Sequence, residues 1–286
     1  MRALVTGSEG FMGRHFVQAL DNVGYDVLGI DVRAPKPMDC RKFFRKHDDI
    51  SFDLVVHCAA VIPDRDHRER HPLVNAENVE LDAAMFQYAL RSRARQVVYM
   101  SSCAVYPLGL TGRAMAESDL DLKAPATPDG LYGWEKLTGE KFAEAARKDG
   151  LKVLVVRPFS GYGTDQSRDY PFPAMIRRAR KRRDPFAVWG DGHQVRDFVH
   201  VDDVIAAVMV GIRDKLDGPY NIGTGRATSM FELAYGICRA AGYLPRITAH
   251  PEKPAGARWR VADTSNQLHE PKVTLEEGIA RALRGR

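Results

Sequence analysis

Three observations predict an α/β protein with a doubly wound parallel sheet. Glycines stand at 7, 10 and 13 directly after the apolar opening Ala3-Leu4-Val5. Short apolar runs then alternate with stretches of helical periodicity, and the acidic Asp31 closes the second run. Alternation of this kind builds a parallel sheet with helices on both faces. A chain of 286 residues can bury a substantial core as a main domain with a smaller lobe. The expected division is a nucleotide-binding domain over 1–159, rejoined by about 199–212, and a substrate lobe formed mainly by 160–286.

Composition narrows the function class. Hydrophobic residues at 44% and charged residues at 28% are ordinary globular values, which argues against a disordered chain. The net charge of +5 suits an anionic ligand without demanding nucleic acid. Cys40, Cys58, Cys103 and Cys238 lie far apart with no C-x-x-C pair, so no zinc or redox site is expected. No run approaches the roughly 18 apolar residues of a membrane helix. The opening reads as a strand instead of a signal peptide, and a soluble, cytoplasmic protein is expected.

The stretch Leu4 to Gly13 suits a strand that turns sharply into a helix, because glycine accepts backbone angles and close approaches that a Cβ forbids. The N–H groups of the helix start and the helix dipole then favour the pyrophosphate of a dinucleotide. Phe11, Phe16, Val17 and Leu20 give the following helix one buried face, and Gly24 ends it. Tyr25 to Ile30 reads as the second strand. Asp31 at its tip would accept hydrogen bonds from an adenosine ribose and repel a 2′-phosphate, which favours NAD over NADP; Arg33 and Lys36 keep NADP as the alternative.

The third strand comes early, at Asp53 to His57, after a short basic and aromatic segment in which Asp39 could reach an adenine amino group. Cys58, Ala59 and Ala60 offer small side chains against which a cofactor can lie, and His57 reads as a packed strand-end histidine. A helix follows from Leu73 to Arg91, and the next strand, Gln96 to Met100, ends in Ser101-Ser102-Cys103. Strand C-terminal ends form the ligand crevice of such a sheet, so these residues belong beside Ala59 and Gly7. After a proline-containing loop, Tyr132-Gly133-Trp134-Glu135-Lys136 opens a helix that runs to about Lys148. Tyr132 and Lys136, four apart, share one face. An ammonium near the phenol, beside a positively charged nicotinamide, is expected to lower the phenol's pKa toward that of a working general base. The basic run Arg177 to Arg183 spreads around its helix without an aromatic stacking platform; a solvated, partly phosphate-facing helix is expected there, with no nucleic acid as partner.

Taken in order, the glycine loop, Asp31, the strand-end serine and Tyr132-x-x-x-Lys136 resemble the extended short-chain dehydrogenase/reductase superfamily, in particular its nucleotide-sugar epimerase/dehydratase branch. Thr6 to Gly13 is similar to the family's TGxxGFxG, Asp53 to Ala60 to its D-x-V-x-H-x-A-A, and Asn78-Val79 to its Asn-Val pair. Arg157 to Gly163 resembles R-P-x-N-x-Y-G, and Gly190 to Val201 resembles G-x-G-x-Q-x-R-D-F-x-H-V. Tyr220 to Gly223 and Arg260 to Asp263 also match.

The resemblance implies a Rossmann domain that holds NAD through Gly7, Gly10, Phe11, Met12, Gly13, Asp31, Asp39, Ala59, Ala60, Asn78, Tyr132, Lys136 and Pro158. It implies that Tyr132 takes the proton of a sugar hydroxyl, Ser102 shares that hydrogen bond, and Lys136 holds the nicotinamide ribose. Ser102, Ser160, Arg196, Arg260 and Asp263 would hold a nucleotide-sugar substrate, and a homodimer would pair the helices near 73–91 and 131–148. A guanidinium can grip a diphosphate in bidentate fashion. Ser160 departs from the family's asparagine, which puts the usual amide contact in doubt.

The family's 4,6-dehydratases carry Asp-Glu after the catalytic hydroxyl, to eliminate water. Here Cys103-Ala104 stands instead, and no dehydratase is expected. The 3,5-epimerases and fucose synthases place a cysteine where this chain has Ala104; Cys103 is one step off and reads as a packed free thiol. The 3,5-epimerase lysine falls at Arg178, too basic to exchange protons, and the fucose synthase histidine near Tyr170. Tyr132 to Lys136 and Trp189 to Gly192 nevertheless resemble the GDP-mannose epimerase group. What remains is a 4-epimerase working through a transient 4-keto sugar, with a keto-sugar reductase using NAD(P)H or a catalytically idle dinucleotide sensor as alternatives.

Overall fold

The computed structural model describes residues 1–47, 49–61, 71 and 73–285. At its centre lie six strands, β1 (Arg2–Thr6), β2 (Asp26–Ile30), β3 (Leu54–His57), β4 (Gln96–Met100), β5 (Lys152–Pro158) and β10 (Gly218–Ile222). They form one sheet in the order β10-β5-β4-β3-β1-β2, and every pairing is parallel. Alternate side chains enter two different cores. Leu4, Val55, Val97, Tyr99 and Val153 pack under α2 (Cys40–Lys46), α3 (Val74–Arg91) and α4 (Gly130–Lys148). Ala3, Val5, Val56, Val98 and Leu154 pack under α1 (Phe11–Asn22) and α6 (Val201–Arg213). Strands buried on both faces explain the unbroken apolar runs of the sequence.

The chain leaves β1 for β2 on one side and returns to place β3 on the other. That reversal opens a crevice at the strand C-terminal ends. β2 is left as an edge strand, with Leu28 39% exposed. The sheet also takes in Gly218–Ile222, so the part of the chain that rejoins it runs on beyond residue 212.

A separate apolar cluster forms the lobe. It gathers Tyr162, Phe172, Met175 and Ile176 with Phe186, Leu233, Ile237 and Ile279, from α5 (Pro171–Arg180), β7 (Phe186–Trp189), α7 (Met230–Ala240) and α8 (Leu275–Arg284). β12 (Ile247–His250) runs parallel to β7. β8 (Val195–Arg196) lies between β11 (Thr228–Ser229) and β13 (Trp259–Arg260) in a small sheet, and β6 (Ser160–Tyr162) pairs with β9 (Phe198–His200).

The basic run serves this lobe. Arg182 donates to the carbonyls of Ala241 and Gly242, Arg180 to that of Ala282, and Arg178 to that of Ala187. The first two cap the C-terminal ends of α7 and α8, where carbonyls lack helical partners. Arg180 and Arg182 thus cap neighbouring helices, while Arg177, Lys181 and Arg183 are exposed, in keeping with the solvated helix expected of this run. Among the described residues no helix is long and apolar enough to cross a membrane.

Candidate active site

The crevice is built from the ends of β1, β3 and β4 and the first turns of α1 and α4. Gly7 leaves β1 with φ +67°, and a Cβ there would stand 2.7 Å from the backbone of Cys58 and Ala59. Its N–H donates to the Ile30 carbonyl at 2.7 Å, and Gly10 N–H donates to the Gly7 carbonyl at 2.9 Å, so the loop folds tightly onto the strand ends. At Gly13 a Cβ would collide with the Gly7 carbonyl, which is how α1 comes so close to the loop. No side chain caps α1, leaving its first N–H groups to an anion. Asp31, buried at the tip of β2, accepts from Glu9 N–H (3.0 Å) and from Arg33 N–H (2.8 Å) and Nε (3.3 Å).

Thr6 Oγ1 accepts from Ala59 N–H at 3.2 Å and meets His57 Nδ1 at 2.8 Å, which joins β1 to β3 under the loop. His57 Nε2 lies 3.3 Å from Asp82, and Tyr99 donates to the same carboxylate at 2.6 Å. His57 is therefore packed, as the sequence indicates.

Tyr132, Glu135 and Lys136 lie in the first turns of α4. Tyr132 and Lys136 do share a face, and the Tyr132 hydroxyl lies within reach of both Lys136 and Ser102. Burial nevertheless pushes this phenol above its ordinary value; Lys136 and Ser102 pull it down, while Glu135 and Cys103 push it up. Lys136 thus acts on the phenol in the expected direction, against the larger effect of burial. Burial also works against the Lys136 ammonium, but Asp82, Tyr132 and Glu135 outweigh it and hold this lysine charged. Its Nζ sits 3.3 Å from Glu135.

The opposite wall is cationic. Arg196 and Arg260 are register neighbours on the parallel strands β8 and β13. Arg260 is 2% exposed, its Nε has no hydrogen-bond partner, and the nearest acid, Asp129, is 3.6 Å away. Arg196 donates to the carbonyls of Val195 and Ala255. One buried and one half-buried guanidinium, with Asp129 the carboxylate beside them among the described residues, fit a diphosphate.

Cys103 follows β4, close enough to Arg196 and Arg260 for both to act on its thiol. Burial raises its thiol to about 11, with Arg260 and Arg196 opposing. Cys103 is a free thiol packed against the apolar cluster of Val105, Tyr106 and Leu137, as the sequence indicates, and it follows Ser102.

The chain matches the NAD dependent epimerase/dehydratase family over residues 3–223. It belongs to that family. A dTDP-4-dehydro-6-deoxy-D-allose reductase of a Streptomyces species is 31% identical, over 92% of this chain and 88% of the relative. GDP-mannose 3,5-epimerase of Arabidopsis thaliana is 26% identical, over 98% and 80%. The UDP-glucose 4-epimerase of Thermus thermophilus, solved with NAD, superposes with a TM-score of 0.85 at 25% identity, covering 100% of this chain and 98% of that one. NAD is the cofactor of this family and of this chain. The tight glycine loop and the uncapped start of α1 fit the pyrophosphate of such a cofactor.

Several family positions are occupied by the protein's own contacts. Asp39 caps α2 through Arg41 N–H (2.9 Å) and grips the Arg41 side chain, which holds its carboxyl below the usual range. Asn78 latches Val61 through its N–H and carbonyl and donates to Glu135 at 3.1 Å. Asp263 caps Ser265 N–H at 2.8 Å. Ser160 lies on β6, its N–H donating to the Asp197 carbonyl, and Pro158 ends β5 beside Ile222. Phe11 and Met12 open α1, with Phe11 packed close to Gly163. Sequence reasoning did not find Asp82, Asp129 or Glu135. The one signal available was polarity: Asp82 and Glu135 are acids on helix faces that carry core residues.

Proposed function

We propose that this protein interconverts a hydroxyl and a ketone at C4 of a nucleotide-linked hexose, with 4-epimerisation as the net reaction. What carries the reading is that Ser102, Tyr132 and Lys136 meet at one mouth while Arg196 and Arg260 stand behind Cys103. Gly7, Gly10, Gly13 and Asp31 would hold NAD, which supplies the hydride acceptor and donor when bound. Tyr132 takes the proton of the sugar hydroxyl as it is oxidised and returns it when the ketone is reduced. Ser102 orients the oxygen, and the charged Lys136 stabilises the phenolate. Arg196 and Arg260 would hold the diphosphate, so that the sugar turns about a fixed anchor and presents its other face. Cys103 and Ala104 stand where an eliminating enzyme has its acids, which supports chemistry without loss of water.

A second reading, a keto-sugar reductase, is favoured by the names of the Streptomyces relatives at 31% and 30% identity. Incubation with UDP-, GDP- and dTDP-hexoses, followed by NMR of the anomeric protons, separates the two. Epimer formation without net change at 340 nm supports the epimerase, and stoichiometric loss of 340 nm absorbance with a 4-keto sugar supports the reductase. Tyr132→Phe is expected to lower either rate by at least about a hundredfold; full activity in that variant overturns both.

A further inference from the structure

Four stretches of the sequence, Arg157 to Gly163, Gly190 to Val201, Tyr220 to Gly223 and Arg260 to Asp263, are far apart in the chain and meet around one side chain. Asp197, between β8 and β9, is 0% exposed. Its Oδ1 accepts from Thr224 N–H at 2.9 Å and from the Thr224 hydroxyl at 2.5 Å. Its Oδ2 accepts from Gly225 N–H at 2.9 Å and from Ala262 N–H at 3.2 Å. The main-chain carbonyl of the same residue takes the Ser160 N–H at 2.8 Å. Gly223 makes room for the carboxylate, since a Cβ there would stand 2.5 Å from it and 2.5 Å from the Ala262 side chain. The donors are neutral main-chain and hydroxyl groups, whose convergence favours the charged form of a buried carboxyl.

Each contact ends beside a residue of the cationic wall. Arg196 precedes Asp197 in the chain, and Ala262 stands two residues after Arg260 and just before Asp263. Thr224 and Gly225 follow β10, the outer strand of the central sheet. Pairing of β8 with β13 sets Arg196 against Arg260, but these strands have two residues each, a shorter ladder than strands usually make. The carboxylate ties both of them to the end of the sheet.

We propose that Asp197 is a positioning residue for the substrate anchor. It fixes Arg196 and Arg260 against the end of the central sheet, and so sets where a nucleoside diphosphate lies relative to Ser102 and Tyr132. This rests on the reading of the two arginines as the diphosphate anchor. An amide in place of the carboxylate turns an NH2 group toward N–H donors, which strands them without an acceptor. The guanidiniums are then still present but displaced, and bidentate contacts to a diphosphate depend on geometry as well as charge.

The test is calorimetric titration of Asp197→Asn with NAD and, once NAD-loaded, with whichever of UDP, GDP, dTDP and CDP binds the parent most tightly. The diphosphate affinity is expected to fall at least about tenfold while that for NAD stays within about twofold. In an Arg196→Ala background the same substitution should cost only about threefold, because part of the contact it positions is already gone. Thr224→Val, which removes one donor, should weaken the diphosphate roughly threefold, and Thr224→Ser should restore it. Equal losses for NAD and diphosphate, or losses that add fully with Arg196→Ala, make Asp197 a general structural residue and overturn the proposal. Parent-like diphosphate affinity also overturns it, leaving the wall to Met115, whose main chain joins Val261 and Asp263. If Asp197→Asn does not fold, the Thr224→Val and Thr224→Ser pair decides by the same criteria. A parent that binds NAD but none of the four nucleotides sinks the diphosphate reading itself, and the proposal with it.

Discussion

Gly7 shows how much one residue can decide. Its φ of +67° is a region where an L side chain costs roughly 1–2 kcal/mol, and the space a Cβ needs is taken by the backbone of Cys58 and Ala59. The loop cannot yield there without parting β1 from β3, because Thr6 already ties these strands through Ala59 and His57. Gly7→Ala is therefore expected to weaken NAD binding at least about tenfold in a calorimetric titration and to lower the melting temperature by several degrees. Unchanged affinity would mean that the loop does not shape the cofactor site. Asp31 is decided in the same place: its carboxylate is already oriented by Glu9 and Arg33 N–H groups before any ligand arrives.

At the scale of elements, α4 matters most, since it carries Tyr132, Glu135 and Lys136. Its packing through Leu137, Ala143 and Ala146 is joined by a buried ionic contact. Glu140 on α4 meets Arg157 on β5 through two hydrogen bonds of 2.6 and 2.9 Å and accepts from Ser101 at 2.5 Å, next to Ser102. Arg157 also donates to Tyr106, which in turn donates to Asn221 on β10. Arg157 and Glu140 are 1% and 2% exposed. Removing one partner of such a pair strands a buried charge and costs about 3–5 kcal/mol. Glu140→Gln should lose that much stability in urea unfolding, together with part of kcat, as the α4 start shifts against Ser102; a variant as stable as the parent would show that packing alone holds the helix. The local signals of α4 were legible in the sequence, because the i,i+4 pair and the strand-end serine are short-range patterns. The network was not: Glu140 finds Arg157 17 residues away, Asn75 finds Glu135 at 60, and Asn221 finds Tyr106 at 115. The capping role of Arg180 and Arg182 was hidden for the same reason, their carbonyl partners lying at the ends of α8 and α7.

At the scale of the molecule, the site is shared between two bodies with separate cores, the sheet domain and the lobe. The glycine loop and Asp31 stand on the first; Arg196 and Arg260 stand on strands of the small sheet and act on Cys103, which follows β4. Ligands that bind only the folded state raise its stability by mass action, by about 2.7 kcal/mol at roughly a hundred times the dissociation constant. Two groups of contacts on two bodies should therefore give two separable thermal shifts. NAD should raise the melting temperature of the parent and of Arg196→Ala alike, because Arg196 belongs to the lobe wall. A nucleoside diphosphate of the preferred base should raise that of the parent and lose most of its effect in Arg196→Ala, since a guanidinium–diphosphate contact is charge-assisted and here sits in a partly buried setting. Gly7→Ala should show the reverse pattern, keeping the diphosphate shift and losing that of NAD. Scanning UDP, GDP, dTDP and CDP in this format identifies the base. If Arg196→Ala abolished the NAD shift as well, the cofactor and the diphosphate would share one pocket, and the division of labour between sheet and lobe would fall.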